Sequence, residues 1–210
     1  MTDINKIINL NLLETNNQKL INQISLIHFQ NLPNSFFTTS GFKFVVFFYQ
    51  LLFMNKDINL LIAKEDDLSI SGFIIWGPIN HSLIKTFAKN LFKFNFIQLI
   101  IIIRLFNLKI LKKLIARLYI KSNKKKFPLN SAKIISLVVD DKYKGKGIGT
   151  KLISKVIQEC SEKDLDFLIA ITTSYQKRAV KFYNSLNFDL ISENKISSDY
   201  VEYTLSRSLK

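Results

Sequence analysis

The chain has 210 residues, 48% of them hydrophobic and 18 of them Phe, enough apolar material for one folded domain with a full core, which excludes a disordered tail. A single cysteine, Cys160, excludes an internal disulfide framework, and with only two histidines, widely spaced, no metal site is expected. The formal net charge of +14 is local: between Leu68 and Val139 there are 13 Lys or Arg and no Asp or Glu, whereas the rest carries 17 basic against 16 acidic residues.

Hydrophobic spacing predicts the first elements. Ile7 to Leu13 reads as a strand, Gln18 to Phe29 as an amphipathic helix with Leu20, Ile21, Ile24, Leu26 and Ile27 inward, and Gly41 to Met54 as an aromatic-rich helix. Leu32-Pro33-Asn34-Ser35 breaks the chain between the helices. Asn59 to Lys64 and Ser69 to Trp76 are predicted strands, joined by Glu65-Asp66-Asp67-Leu68 as a hairpin. His28, on a helix face beside Phe29, reads as structural. Gly77-Pro78-Ile79-Asn80-His81-Ser82 then reads as a loop.

That loop leads into the basic segment. Ser82 to Phe94, Phe96 to Asn107 and Leu108 to Ile120 each read as helix, the last with Ile110, Leu111, Leu114, Ile115 and Leu118 opposite Lys109, Lys112, Lys113 and Arg117. Lys124-Lys125-Lys126-Phe127-Pro128 closes the segment as a loop. The apolar run Phe96 to Phe106 is interrupted by Gln98 and Arg104 and falls short of the roughly 20 residues that cross a bilayer, so it is not expected to span. Three readings stand: a helical cap on the sheet with a solvated basic rim, a membrane-surface contact, or a docking face for an anionic substrate or nucleic acid. The cap is favoured and nucleic acid is the least favoured partner. No charged-then-apolar leader opens the sequence, so the cytoplasm is the expected compartment, peripheral to the inner face of the membrane if the basic segment touches lipid.

The most informative stretch follows. Ile134 to Thr150 reads as an apolar strand, a charged turn, and three alternating glycines, Gly145, Gly147 and Gly149, opening a helix. Bare backbone at a helix start turns several N–H groups and the positive end of the helix dipole outward, a site suited to phosphate. Spacing excludes a Walker A loop, because no Lys-Ser or Lys-Thr pair follows a glycine at the required distance. It also excludes a dinucleotide fingerprint: Thr150 stands where the last glycine would be, and the run Phe167 to Thr172 ends in Thr172, Thr173 and Ser174 rather than an acid. Cys160 lies on the apolar face of the helix after the glycines and is expected in the core.

Leu137-Val138-Val139, Asp141, Tyr143 and Lys144-Gly145-Lys146-Gly147-Ile148-Gly149 resemble the acetyl-CoA loop of the GCN5-related N-acetyltransferases (GNAT). The second half of that pattern follows at the right distance: strand Phe167 to Ile171, then Gln176, Ala179, Phe182-Tyr183 and Leu186-Asn187-Phe188. Lys144 stands in place of Arg or Gln, Gln176 in place of Asn, and Asn187 in place of a Gly that Asn can replace in the left-handed conformation. The resemblance implies an α/β (α+β) acyl-CoA N-acyltransferase fold. Its mixed, mostly antiparallel sheet would be flanked by helices, in a single domain over 1–210 with a basic helical insertion at about 82–128.

The resemblance also implies roles. Leu137, Val138 and Val139 would hold the pantetheine arm through backbone groups, with an N–H, that of Val139, serving the thioester carbonyl. Backbone from Gly145 to Thr150 (Gly145, Lys146, Gly147, Ile148, Gly149, Thr150) would take the pyrophosphate, and Lys144 and Gln176 would add contacts. Tyr183 would donate a proton to the departing thiolate, and His81, in the loop after the hairpin, is a candidate base. The implied activity is acetyl transfer from acetyl-CoA to a primary amine, without a metal. As acceptor, an amino sugar of a surface-glycan precursor, carrying negative charge, fits a faint similarity across Ser35 to Tyr49 and the basic segment; a peptide or protein amine, and a non-catalytic membrane-associated adaptor, are the alternatives.

Overall fold

The computed structural model describes residues 7–10, 18–35, 37–65, 69–80, 127–195 and 200–210. Strand β1 (Ile7–Leu10) is followed by helices α1 (Gln18–Asn31) and α2 (Phe42–Phe53) and by the hairpin β2 (Asn59–Lys64) and β3 (Ile70–Pro78). After the basic segment come β4 (Ser131–Val139), α3 (Ile148–Glu162), β5 (Phe167–Thr173), α4 (Lys177–Asn184), β6 (Asp189–Lys195) and β7 (Val201–Ser208). The expected helices between Ser82 and Ile120, with His81, lie outside the described residues.

The strands form one seven-stranded sheet in the order β1-β2-β3-β4-β5-β7-β6. Its pairs are antiparallel except β4 with β5. β3 is buried almost throughout because both of its faces are covered. Phe73 and Ile75 pack with Leu20, Ile21 and Ile24 of α1 and Val45, Phe48 and Leu52 of α2. On the other face Ile74 and Trp76 pack with Ile148, Leu152, Ile153, Val156 and Cys160 of α3, whose apolar residues recur at helical spacing.

Two sequence expectations need correction. Leu26 points outward, 47% exposed, and the inward face of α1 instead includes Ser25 and His28. At 100° per residue Leu26 falls opposite Ile24, whereas His28, one turn after Ile24, shares its face, so the buried stripe runs Leu20, Ile21, Ile24, Ile27, His28. Gly77 and Pro78 continue β3 rather than forming a loop, paired with Lys133 and Ala132. Proline is tolerated there because the Ile79 N–H bonds the Ser131 carbonyl, which turns the Pro78 nitrogen to the side where β2 has already ended opposite Trp76.

β4 carries the two irregularities that shape the cleft. Ile75 pairs with Ser136 and Trp76 with Ile134, so Ile135 is a bulged extra residue. The bulge resets the alternation, and both Ile135 and Ser136 face the α1/α2 layer while Ile134 and Leu137 face α3. β4 also pairs with β5 over only three residues, Ser131 to Lys133 against Phe167 to Ile169. Beyond that pairing β4 runs on to Val139 and β5 to Thr173, with a wedge between them.

Candidate active site

The N-terminus of α3 is prepared by a tight turn. The Asp140 carboxylate accepts from the Lys142 N–H (3.1 Å), and the Asp141 N–H donates to Asn31 Oδ1 of α1 (2.8 Å), which fixes the loop against the first helix. Gly145 and Gly147 take φ of 81° and 78°, a left-handed conformation that costs any other L-residue about 1–2 kcal/mol. Gly147 is the N-cap and has no side chain to cap with, so the first N–H groups of α3, from Ile148 to Thr150, face outward. Gly149 serves a second purpose beside the one its spacing suggested. It lies inside α3, and a Cβ there would stand 3.2 Å from Phe182 Cζ, so its bareness lets α4 pack against α3.

The wedge between β4 and β5 opens beside this helix end. The Asp140 N–H donates to the Ser71 carbonyl (3.0 Å), which sets the alternation of the β3–β4 ladder. Val138 and Ser136 therefore turn their backbone groups to β3, whereas Leu137 and Val139 turn theirs into the wedge. α4 closes the far side. Tyr183 is buried, in contact with Phe182 and Phe188 at ring separations of 5.5 and 5.2 Å, and burial pushes its phenol well above the usual range, so it stays protonated. Gln176 precedes α4, and its side-chain carbonyl accepts from the Thr172 hydroxyl (2.8 Å), which leaves its NH₂ as the group to offer. Asn187 adopts φ 58° after α4, where its N–H bonds Asn184 O and the Phe188 N–H bonds Tyr183 O.

These elements border one cleft of about 960 Å³, reached also by the α1 end of the molecule through His28, Asn31 and Ser35. His28 is 3% exposed; its Nδ1 lies 2.6 Å from Tyr49 Oη and its Nε2 2.9 Å from Ser35 Oγ. Desolvation lowers its pKa to about 4, so it is neutral at physiological pH. Among the described residues no three of His, Cys, Asp and Glu gather where they could hold a metal ion.

A family model described as the acetyltransferase (GNAT) family matches residues 100–188. That match spans the glycine turn, α3, β5 and α4, 89 of the 210 residues. N-alpha-acetyltransferase 30 of Xenopus laevis is 44% identical over 55 residues, 26% of this chain and 20% of the relative. The human protein of that name is 42% identical over 55 residues, 26% of this chain and 15% of the relative. The chain thus matches a fifth or less of the length of these curated relatives. The fold match runs the length of the chain: a GNAT-family structure from Desulfovibrio desulfuricans covers 98% of this chain and 99% of its own, at TM-score 0.62 and 12% identity. An aminoglycoside 6'-N-acetyltransferase solved with coenzyme A covers 97% of each chain, at TM-score 0.61 and 13% identity.

Within this GNAT fold the residues singled out by sequence gather at the cleft. Leu137, Val138, Val139, Lys144, Gly145, Gly147, Ile148, Gly149, Thr150, Gln176 and Tyr183 all border it. Lys146 does not; its ammonium lies 5.0 Å from the centre of the Tyr143 ring. Lys144 borders the cleft but forms an ion pair with Asp141. The opposite wall, with His28, Ser35 and Ser136, and the lip formed by Tyr175, Arg178 and Tyr200 were not anticipated from sequence. A polar residue at core spacing on α1 was the available signal for His28; Ser136 had none, because its facing depends on the bulge.

Proposed function

We propose that this protein transfers an acetyl group from acetyl-CoA to a primary amine. The observation that carries the reading is that the uncapped, left-handed-glycine start of α3 and the backbone of Leu137 and Val139 open into one cleft. The N–H groups from Ile148 to Thr150 suit the pyrophosphate, since bare donors and the helix dipole both favour negative charge. The wedge suits the pantetheine arm, which can bond to β4 as a short strand would. An N–H in that wedge, that of Val139, would polarise the thioester carbonyl, and the protonated phenol of Tyr183 would supply a proton to the thiolate as the C–S bond breaks.

For the acceptor we favour an amino sugar, carrying or attached to negative charge that the acid-free segment between Leu68 and Val139 would attract. The α-amine of a peptide is the second reading, favoured by the names of the curated relatives. The test is a panel of amino sugars and peptides, with free thiol released from acetyl-CoA as the readout. Acceptor-dependent thiol release supports the transfer reading; release with neither class, from protein that remains folded, refutes it.

A further inference from the structure

The buried polar groups behind β4 form a continuous chain with a defined direction. Ser35 accepts the Thr38 N–H (3.0 Å), and its single hydroxyl proton goes to Thr38 Oγ1 (2.9 Å). With that proton on Thr38, Ser35 accepts from His28, which assigns the His28 proton to Nε2 and makes Nδ1 the acceptor. Tyr49 must then donate to Nδ1, at 2.6 Å, and its oxygen accepts from the Ser136 hydroxyl at 3.1 Å. Tyr49 is fully buried, Ser136 is 8% exposed, and Ser136 borders the cleft between Ile135 and the wedge-facing backbone of Leu137. With its hydrogen committed to Tyr49, Ser136 presents lone pairs to the cleft.

We propose that Ser136, Tyr49 and His28 form a proton line that takes the surplus proton from the acceptor nitrogen as it is acylated. This rests on the amine-transfer reading above. As the neutral amine forms its C–N bond, the C–S bond breaks and the nitrogen becomes cationic and acidic. Its N–H proton passes to Ser136 Oγ while the Ser136 proton passes to Tyr49 Oη and the Tyr49 proton to His28 Nδ1. The product is a neutral amide, and His28 is an imidazolium with both nitrogens protonated. When product leaves, water at Ser136 takes the proton back along the same line and the first orientation is restored. Ser136 touches the substrate; Tyr49 and His28 act through it, and Ser35 with Thr38 positions the tautomer. The low basicity of buried His28 suits this exchange, because a weak base accepts from a cationic amide nitrogen and gives the proton up again. Burial also leaves no competing solvent path at Tyr49. The bulge at Ile135 is what turns Ser136 to this face.

Two measurements test the line. Long-range proton–nitrogen correlation on histidine-labelled protein, with His28 assigned by its loss in His28→Gln, should show the Nε2–H tautomer; the Nδ1–H tautomer would reverse every bond and overturn the line, whatever the activity. With an amine acceptor, Tyr49→Phe and Ser136→Ala should each lower kcat on the order of 10²-fold, with KM for acetyl-CoA unchanged. The double variant should be no worse than either single one, and Ser136→Thr should recover most of the loss. An active parent whose Tyr49→Phe variant keeps full kcat overturns the line alone. A folded parent inactive toward every amine overturns the transfer reading and the line with it.

Discussion

Replacing His28 by Gln should remove a specific piece of the protein's pH dependence. Gln keeps a donor and an acceptor for Tyr49 and Ser35 but does not titrate. His28 has a folded pKa of about 4 against 6.5 in the open chain, so between those values the unfolded state binds the extra proton and the folded state does not. Stability from the neutral imidazole is complete above pH 6.5 and is lost as pH falls toward 4; below 4 both states are protonated and the loss stops. The shift corresponds to about 3 kcal/mol across the window, of which roughly 2.5 kcal/mol is reached by pH 4.5. Urea unfolding followed through the fluorescence of the sole tryptophan, Trp76, which is 2% exposed, measures it. At pH 7.5 the wild type should lead the variant, and by pH 4.5 that lead should have shrunk by about 2.5 kcal/mol. Curves that run parallel from pH 7.5 to 4.5 would refute the claim that His28 is held neutral by burial.

Three further outcomes are expected. Tyr183→Phe should lower turnover on the order of 10²-fold while the unfolding midpoint stays close to wild type, because the buried ring is retained; full turnover, read by thiol release, would clear Tyr183 of the donor role. Gly149→Leu should destabilise by about 1–3 kcal/mol in urea titration, because a Cβ already meets Phe182 at 3.2 Å; an unchanged midpoint would mean that α3 and α4 can separate freely. Cys160 is buried with its thiol pushed up to about 12, so it should react with a thiol reagent only on unfolding, and rapid labelling of native protein would contradict its place in the core.

Strands β1 to β5 and helices α1 to α3 were legible because their signals are local, whereas β6 and β7 were not read from the sequence. Asn59–Lys64 reads directly as a strand, and the glycine turn before α3 is written in one short stretch. Leu26 was misplaced because the helix carries more apolar residues than its buried face holds, and Ser25 and His28 take positions on that face. The wall opposite the glycines was illegible for a physical reason. Ser136 reaches Tyr49 across 87 residues of sequence, and it does so only because one bulged residue flips its facing. His28 meets Tyr49 across the α1/α2 contact, where a polar pair inside an aromatic cluster looks, in sequence, like two isolated anomalies.

The most direct measurement is calorimetric titration of acetyl-CoA into the wild type and into Gly147→Val. The left-handed φ of 78° at Gly147 sets the start of α3, and valine cannot adopt it without strain. Saturable binding to the wild type, weakened at least about tenfold in the variant (a cost near 1.4 kcal/mol), is the expected result. No binding to folded wild type, or equal binding to both proteins, would contradict an acetyl-CoA site at the start of α3.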